Sequence, residues 1–409
     1  MEIRSHDTDI RPCKLRLAAS VWVAAGMFAT SISSHAIGVM IPDQDAEATA
    51  RGDAFIAKAD NPAAVFYNPA GLTQMAGWNL SGTLYGTALN PQYRGLASVD
   101  SRSQIYLLPQ FYLGYHPTNR PVAFGVGLGT PFGLGGDYGS SSALRQVITK
   151  DSLDFMSLSA VATWEVVPGL SIGAGPVFNF ASIDIEQGLA PVNLGDLAKF
   201  NGSGNSAGGI AGILWRVHKF SLGAVYRGST AVNYSGTFQA NPGVLPLPPL
   251  NESAHLELNI PNEAGFGVGY HVTTNLQIEA DALWTQWSSW GQSTLFKPSG
   301  NVTTRYDWND SWIFSVGTTY ECFKGFRIHG GYGYAQQTVP DQTFTPAIPD
   351  SPRHVLSVGF SKDWGRHLEG TLAFQQIFGE DRNINNRVTL PGTYSFRSTA
   401  ITTSFVFKF

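Results

Sequence analysis

Residues 60–72 of this 409-residue chain read Asp-Asn-Pro-Ala-Ala-Val-Phe-Tyr-Asn-Pro-Ala-Gly-Leu and suit neither a regular helix nor a strand. Pro62 and Pro69 each follow an asparagine, hold the backbone in extended or turn geometry and remove two amide donors. Most other residues of the stretch are small and apolar. We therefore expect the stretch to pack inside an enclosure that the rest of the chain provides.

The composition limits what that enclosure is. Only 14% of the residues are charged, whereas soluble domains average about 25%. After residue 36, no run reaches the roughly 18 to 20 apolar residues that a membrane-spanning helix needs. Two classes remain: a large aromatic-rich soluble β protein, and a membrane β-barrel in which apolar and polar residues alternate.

The first 36 residues have the layout of a secretory signal peptide. Four basic residues precede the apolar run 17–30, and Ser34-His35-Ala36 places small residues at the −3 and −1 positions of a cleavage site. A short membrane anchor is the alternative. Cleavage after Ala36 removes Cys13 and leaves Cys322 alone, so the exported chain is expected to hold no intramolecular disulfide.

Aromatic and β-branched segments then follow one another, separated alternately by short and long interruptions. Such alternation is typical of outer-membrane barrels, which have short periplasmic turns and long external loops. The pattern predicts an all-β fold with fourteen antiparallel strands: 78–90, 104–116, 120–130, 154–166, 169–186, 205–216, 219–238, 253–271, 275–290, 311–322, 325–335, 353–363, 367–379 and 393–409.

Two segments show the period of two directly. In 275–285, apolar residues from Leu276 to Trp284 alternate with polar ones that include Glu279 and Asp281. Acidic side chains facing lipid are costly, so the polar face is expected to point into the barrel. The last segment alternates in the same way and ends on Phe409, which resembles the assembly signal of bacterial outer-membrane barrels.

Residues 50–72, with Asn68-Pro69-Ala70 near their end, closely resemble the N-terminal hatch of the FadL/TodX family of outer-membrane hydrophobic-compound channels. Further similarities lie at 130–135, 258–261, 282–288, 312–320 and 348–353, so the resemblance covers nearly the whole mature chain. It implies a hatch at 37–77 that plugs a fourteen-stranded barrel at 78–409, in the bacterial outer membrane.

The resemblance also implies a mechanism. Extracellular loops capture a hydrophobic solute, an interior pocket receives it, and it leaves sideways through the wall near the third strand without an energy source. The hatch residues Asn68, Pro69 and Ala70 then gate the channel beside that exit; a tight turn needed only for folding the plug is the alternative.

Three further sets of residues have candidate roles. Glycine and proline in the third strand mark the lateral opening, unless these glycines only pack against the hatch. Apolar loop residues form the capture surface or a loop cap, and basic residues contact a carboxylate headgroup or remain solvated. The sets are Gly125, Gly127, Gly129, Pro131, Phe132 and Gly133 for the opening; Leu189, Val192, Leu194, Leu197, Phe200, Leu245, Leu247 and Leu250 for capture; and Arg145, Lys150 and Arg305 for the headgroup.

The expected cargo is a long-chain fatty acid. Gln187 stands where a basic residue would follow Ile185-Glu186 in the best-known family member, which leaves room for a neutral cargo such as a monoaromatic hydrocarbon. Other expected partners are outer-membrane lipids, lipopolysaccharide and the barrel-assembly machinery.

Other functions have little support in the sequence. The nine scattered histidines form no catalytic pattern for a barrel lipase or protease, and a general porin would need a charged constriction. No metal-ligand spacing is present and no cofactor is implied. The net charge of −4 argues against nucleic-acid binding.

Overall fold

The computed structural model describes residues 39–246 and 248–409, so the predicted signal peptide and Leu247 lie outside the described residues. Fourteen antiparallel strands form a closed barrel, because β1 pairs with both β2 and β14. The wall consists of β1 (Gly77–Leu89), β2 (Gln104–His116), β3 (Val122–Gly129 and Gly133–Asp137), β4 (Lys150–Val167), β5 (Leu170–Gln187), β6 (Leu197–Val217), β7 (Phe220–Arg227 and Thr230–Asn241), β8 (Leu250–Ile260 and Glu263–His271), β9 (Leu276–Thr285), β10 (Ser311–Phe323), β11 (Phe326–Ala335), β12 (Arg353–Trp364), β13 (Leu368–Gly379) and β14 (Arg397–Lys408).

The predicted fourteen-strand barrel is confirmed, but three of its strands are interrupted. Breaks divide β7 and β8, which the strand pattern predicts as continuous. A break also divides β3, whose second part, Gly133–Asp137, lies in the predicted loop 131–153. The predicted loops 91–103 and 380–392 also contain strands. These strands are Gln92–Gly95, Ser98–Asp100 and Arg382–Ile384, and they form a small sheet with Gly392–Ser395, where the sequence pattern predicts the start of the last barrel strand. A hairpin of Gln292–Phe296 and Val302–Arg305 lies in a third predicted loop.

The faces of the wall follow the predicted alternation. Along β9, Ile278 and Ala280 are exposed, whereas Glu279 and Asp281 are buried on the inner face. Exposed tryptophans near the short turns form an aromatic girdle of the kind that marks a membrane interface; they are Trp78, Trp164, Trp215 and Trp364.

The wall around β4–β8 is taller than a membrane requires. β6 has 21 residues, and strands rise about 3.3 Å per residue, so it exceeds the ~25 Å apolar band even when tilted. In its upper part the polarity of the two faces is reversed. Asn233 and Ser235 of β7 face outward, while Val232 and Tyr234 are buried inside. The barrel therefore carries an apolar interior beyond its lipid-facing band.

The N-terminal segment, Val39–Ala76, packs against the inner face of the wall. It contains α1 (Ala46–Ala50), α2 (Ala64–Tyr67) and a 3-10 helix (Pro69–Gln74). The Asp45 side chain caps α1 by accepting from the amides of Glu47 and Ala48. Asn68 caps the 3-10 helix, with Pro69 at the first helical position. Of the two prolines in the opening stretch, Pro69 thus begins a short helix, and Pro62 lies in the turn that precedes α2.

Candidate functional site

The ladder between β2 and β3 is incomplete. These strands pair only from Phe111 opposite Leu128 to Tyr115 opposite Phe124. Beyond that point, Gln104–Gln110 of β2 pair with β1, and Gly133–Asp137 of β3 pair with β4. No ladder joins these two stretches to each other in the residues that the structure describes. The wall therefore has a gap at this place.

An extra residue in β3 produces the gap. Gly129 lies opposite Ser157 of β4 and Gly133 lies opposite Asp154, so four steps along β3 match three along β4. One surplus residue is the definition of a β-bulge, which bends its strand and ends pairing on one side. At the far end, the Arg102 amide donates to the Asp137 carbonyl at 2.7 Å and closes the gap.

The start of the N-terminal segment binds the bulge from inside. The Ile41 amide donates to the Pro131 carbonyl at 2.7 Å, and the Gly133 amide donates to the Val39 carbonyl at 2.8 Å. The Gln44 side chain donates to the Thr130 carbonyl at 3.0 Å and accepts from the Thr130 amide at 2.9 Å. These contacts satisfy backbone groups that the bulge removes from the ladder.

Only part of the predicted lateral opening borders the gap: Gly129, Pro131, Phe132 and Gly133 do so. Gly125 and Gly127 do not, because they lie within the paired part of β3. A Cβ on Gly125 would approach Val65 to 2.5 Å, and one on Gly127 would approach Tyr112 to 2.5 Å. Packing against the N-terminal segment and a neighbouring side chain explains these two glycines, so their assignment to the opening is wrong.

Asn68, Pro69 and Ala70 anchor the N-terminal segment to β4–β6. The buried side-chain amide of Asn68 donates to the carbonyls of Ile56 and Ile213, each at 3.0 Å. The Thr163 hydroxyl donates to the Pro69 carbonyl at 2.6 Å. The sequence predicts that this triplet lies directly beside the gap, but its hydrogen bonds go to Ile56, Ile213 and Thr163 instead. Gln44 and Ile41, which the sequence did not single out, make the hydrogen bonds to the bulge.

Replacing Asn68 by Asp tests the anchor. Aspartate keeps the shape but loses both donors, so two carbonyls face a carboxylate, and each unmade buried bond costs about 1–3 kcal/mol. We expect trypsin to cleave after the buried Lys58 at least about tenfold faster in Asn68→Asp. Asn193→Asp, in an exposed loop, serves as the control and should cleave at the wild-type rate. Equal rates for both variants would contradict the anchoring role.

Two acids of β9 hold the middle of the N-terminal segment. The Asp281 carboxylate accepts from the amides of Phe55 and Ile56, both at 2.8 Å. The Glu279 carboxylate accepts from the Ala57 amide at 2.7 Å and forms a fully buried ion pair with Arg51 at 2.8 Å. The expected inward orientation of these acids is thus observed, and their charge is used to bind backbone donors.

Docking of the N-terminal segment is expected to depend on pH. Burial, together with the nearby Glu47 carboxylate, raises the pKa of Asp45 from 3.8 to about 6. The docked form therefore holds this proton more tightly than the released form, and docking weakens as pH rises from about 4 through 6. Hydrogen exchange of α1 amides, corrected for intrinsic rates, should show greater protection at pH 4 than at pH 7. Equal protection would contradict this expectation.

The lumen contains a connected set of aromatic rings, here called the aromatic row. Tyr306 and Trp290 lie 5.5 Å apart between ring centroids, Trp290 stacks on Trp308 at 4.5 Å, and Trp287 packs edge-on against Trp308 at 5.3 Å. Phe132 of the bulge is 6.4 Å from Trp287. The indole nitrogen of Trp287 is buried and has no hydrogen-bond partner among the described residues. The row reaches the gap at Phe132.

A cavity of about 50 Å³ lies between the N-terminal segment and the wall. Its lining is largely apolar and includes Phe66, Leu283 and Ile313, together with the cation of Arg227. The Arg227 guanidinium pairs with the Glu263 carboxylate at 2.5 Å, donates to the Phe66 carbonyl and lies 4.3 Å from the Phe66 ring centroid. Sequence reasoning missed this cation, because its partner lies 36 residues away on another strand.

The predicted headgroup cations are not brought together. Arg145 is buried and pairs with Asp196 at 3.1 Å while donating to several loop carbonyls, so it holds loops together and its assignment as a solvated or ligand-facing charge is wrong. Lys150 is exposed at the start of β4. Arg305 is exposed and pairs with Asp307 at 2.9 Å.

The predicted capture surface is only partly exposed. Val192 and Leu250 are exposed, and Leu189, Leu194 and Leu245 are half-buried. Leu197 and Phe200 lie on β6 rather than in a loop. Phe200 is buried in the interior apolar cluster, so its assignment to an exposed surface is wrong.

In residues 39–246 and 248–409, no three or more His, Cys, Asp or Glu side chains are grouped so that they could hold a metal ion. None of the helices in the same residues is both long and apolar enough to cross a membrane.

A closed fourteen-stranded barrel whose lumen holds its own N-terminal segment defines the class of this protein as a transmembrane β-barrel. The chain belongs to the outer membrane protein transport protein family (OMPP1/FadL/TodX), whose model matches residues 27–409.

Individual relatives are distant in sequence. The chain is 24% identical to the long-chain fatty acid transport protein of Salmonella typhi over 93% of this chain and 92% of that protein. Its fold is similar to that of a Pseudomonas aeruginosa FadL homologue, with a TM-score of 0.82 at 19% identity over 91% of this chain and 100% of the other. The Pseudomonas putida toluene transporter TodX is similar with a TM-score of 0.76, at 19% identity and the same coverage of both chains.

Proposed function

We propose that this protein is an outer-membrane channel for the passive uptake of hydrophobic compounds. A solute reaches the apolar upper interior, moves along the aromatic row and leaves sideways through the gap between β2 and β3 into the bilayer. The observation that carries this proposal is the gap itself, which adjoins buried rings inside and lipid-facing strands outside. An apolar route keeps the solute out of water, and exposure to water would cost about 0.8 kcal/mol per methylene.

The N-terminal segment acts as the plug and as the gate in this proposal. Its first residues bind the bulge through Ile41 and Gln44, while its middle is fixed to β9 and its end to β4–β6. Release of the first residues alone would uncover the gap without freeing the rest. The triplet Asn68-Pro69-Ala70 therefore serves as the fixed point about which the gate moves.

Two cargo classes are supported by different observations. Long-chain fatty acids are the first candidate, because the curated relatives bear that name. Neutral hydrophobes such as monoaromatic hydrocarbons are the second, because the interior arginines already have carboxylate partners. These pairs are Arg51 with Glu279, Arg145 with Asp196, Arg227 with Glu263 and Arg353 with Asp350.

The cellular setting completes the proposal. Residues 1–36 direct export, the terminal Phe409 is read by the barrel-assembly machinery, and the tall polar outer face of β6–β8 lies among lipopolysaccharide sugars. Phe409 directly follows the last residue of β14 and is 72% exposed.

Uptake by cells tests the function. A Gram-negative host that lacks channels of this family is supplied with the gene and given oleate or toluene as the only carbon source, with the matching catabolic enzymes present. Faster growth on one substrate than in the empty-vector strain assigns the cargo class. Growth equal to that strain on both substrates would contradict hydrophobic-compound transport.

A further inference from the structure

The wall has a second interruption, which lies beside β8. Pro261 and Asn262 divide this strand, and β9 pairs only with its second half, from Glu263 opposite Thr285. On the same side, the first half of β8 pairs only at His255 and Leu256, with the hairpin that follows β9. Residues 257–260 therefore have no ladder partner on this side in the described chain, over roughly 13 Å at 3.3 Å per residue.

A cleft occupies this interruption. Its volume is about 260 Å³, whereas an apolar cavity of about 150 Å³ already accommodates benzene. Its lining combines exposed residues of the outer face with buried residues of the lumen, so the cleft passes into the wall. The exposed group is Glu257, Asn259, Gln292 and Phe296, and the buried group includes Leu258, Trp290 and Ser293.

Two aromatic side chains separate the cleft from the lumen. Trp290 and Tyr306 line the cleft, and both belong to the aromatic row. In the described part of the chain, residues 257–260 are bridged beside these rings by side-chain hydrogen bonds: the Asn259 side-chain amide donates to the Ser289 carbonyl at 3.1 Å, and the Trp290 indole donates to the Asn259 carbonyl. Rotating one indole ring therefore breaks one hydrogen bond and no ladder.

The row connects the two interruptions. It runs from Trp290 at the β8 cleft through Trp308 and Trp287 to Phe132 at the β3 gap, and each ring contacts the next. A planar apolar molecule can take the place of a neighbouring ring in each contact of the row. It then remains next to aromatic rings along the whole path. The Glu257 carboxylate disfavours anionic headgroups at the outer mouth, because like charges repel.

We propose that the β8 cleft is a side entrance through which small neutral aromatic molecules pass from the level of the outer-leaflet sugars into the aromatic row. This inference rests on the proposed transport function. For small neutral aromatic molecules, it replaces entry past the loops at the top of the barrel by entry through the wall. Trp290 is the gate of this entrance.

Blocking the cleft chemically tests the entrance. Gln292→Cys is made in a Cys322→Ser background, because Cys322 is exposed, and cells are treated with a bulky, membrane-impermeant maleimide. Labelling is expected to reduce toluene uptake about tenfold, as closing an access route does. The matched control is Thr237→Cys, exposed on the outer face of β7 and absent from the cleft lining, where the same label should change uptake less than about twofold.

A second variant opens the gate instead. Trp290→Ala removes the indole that separates cleft and lumen, so toluene uptake should rise or hold, and labelling of Gln292→Cys combined with it should still block. Equal uptake before and after complete labelling of Gln292→Cys would overturn the side entrance. Toluene uptake by the unlabelled Cys322→Ser protein no greater than that of the empty host, with oleate uptake also absent, would instead overturn the proposed transport function.

Discussion

Deletion of Pro131 is expected to abolish most uptake of the hydrophobic cargo while leaving the barrel folded. Removing one residue makes three steps along β3 match three along β4, from Gly129 opposite Ser157 to Gly133 opposite Asp154. The two halves of β3 then continue in one register with side chains on their original faces, and the freed edge can pair with Gln104–Gln110 of β2. A closed ladder leaves no gap, and we expect uptake to fall by about tenfold or more.

Pro131→Ala is the matched control for this deletion. It removes the proline ring but keeps the surplus residue, so the bulge and the gap persist and uptake should stay within about twofold of wild type. Heat-resistant migration on gels verifies that both variants form barrels. Normal uptake by the deletion variant, in a barrel shown to be folded, would exclude the gap as the exit.

Replacing Glu279 by Ala is expected to loosen the plug. The change leaves the Arg51 guanidinium buried without its 2.8 Å partner and also removes the acceptor for the amides of Ala57 and Lys58. Breaking one side of a buried ion pair costs roughly 3–5 kcal/mol. In planar bilayers the variant should show ion-conducting openings that the wild type lacks, and trypsin should reach Arg51 and Lys58 sooner.

Two further variants separate the ion pair from general damage. Arg51→Met combined with Glu279→Met removes both charges and should recover part of the docking, because no unpaired charge remains. Glu380→Ala removes an exposed acid and should behave as wild type. Closed, protease-resistant channels in Glu279→Ala would show that β9 does not hold the plug.

Local patterns accounted for much of the fold. Strands that bury one face alternate in polarity every second residue, and this signal depends only on neighbours in the chain, so fourteen segments could be counted without knowing their partners. The inward direction of Glu279 and Asp281 followed from the same alternation. Their purpose did not, because the amides that they bind lie more than 220 residues away in the sequence.

The candidate site was less accessible to such reasoning. The sequence predicts one opening along the glycine-rich stretch from Gly125 to Gly133, because glycine is typical both of close packing and of bulges. Packing explains Gly125 and Gly127, whereas the bulge explains Gly133. The pairing registers of the folded barrel are needed to distinguish these two roles. The sequence likewise predicts that Arg145 contacts a headgroup or remains solvated, because nothing in the sequence reveals that its partner is Asp196, 51 residues away.

Residues 60–72 show where the two kinds of information divide. Their prolines and small side chains already indicated a compact, non-strand segment that needs an enclosure, and strand alternation identified the enclosure as a barrel; both are short-range properties of the chain. Only the folded barrel shows which wall strands hold the segment. It also shows that Gln44 and Ile41, and not Asn68, bind the β3 bulge. Contacts of that kind join residues whose distance in space has no relation to their distance in sequence.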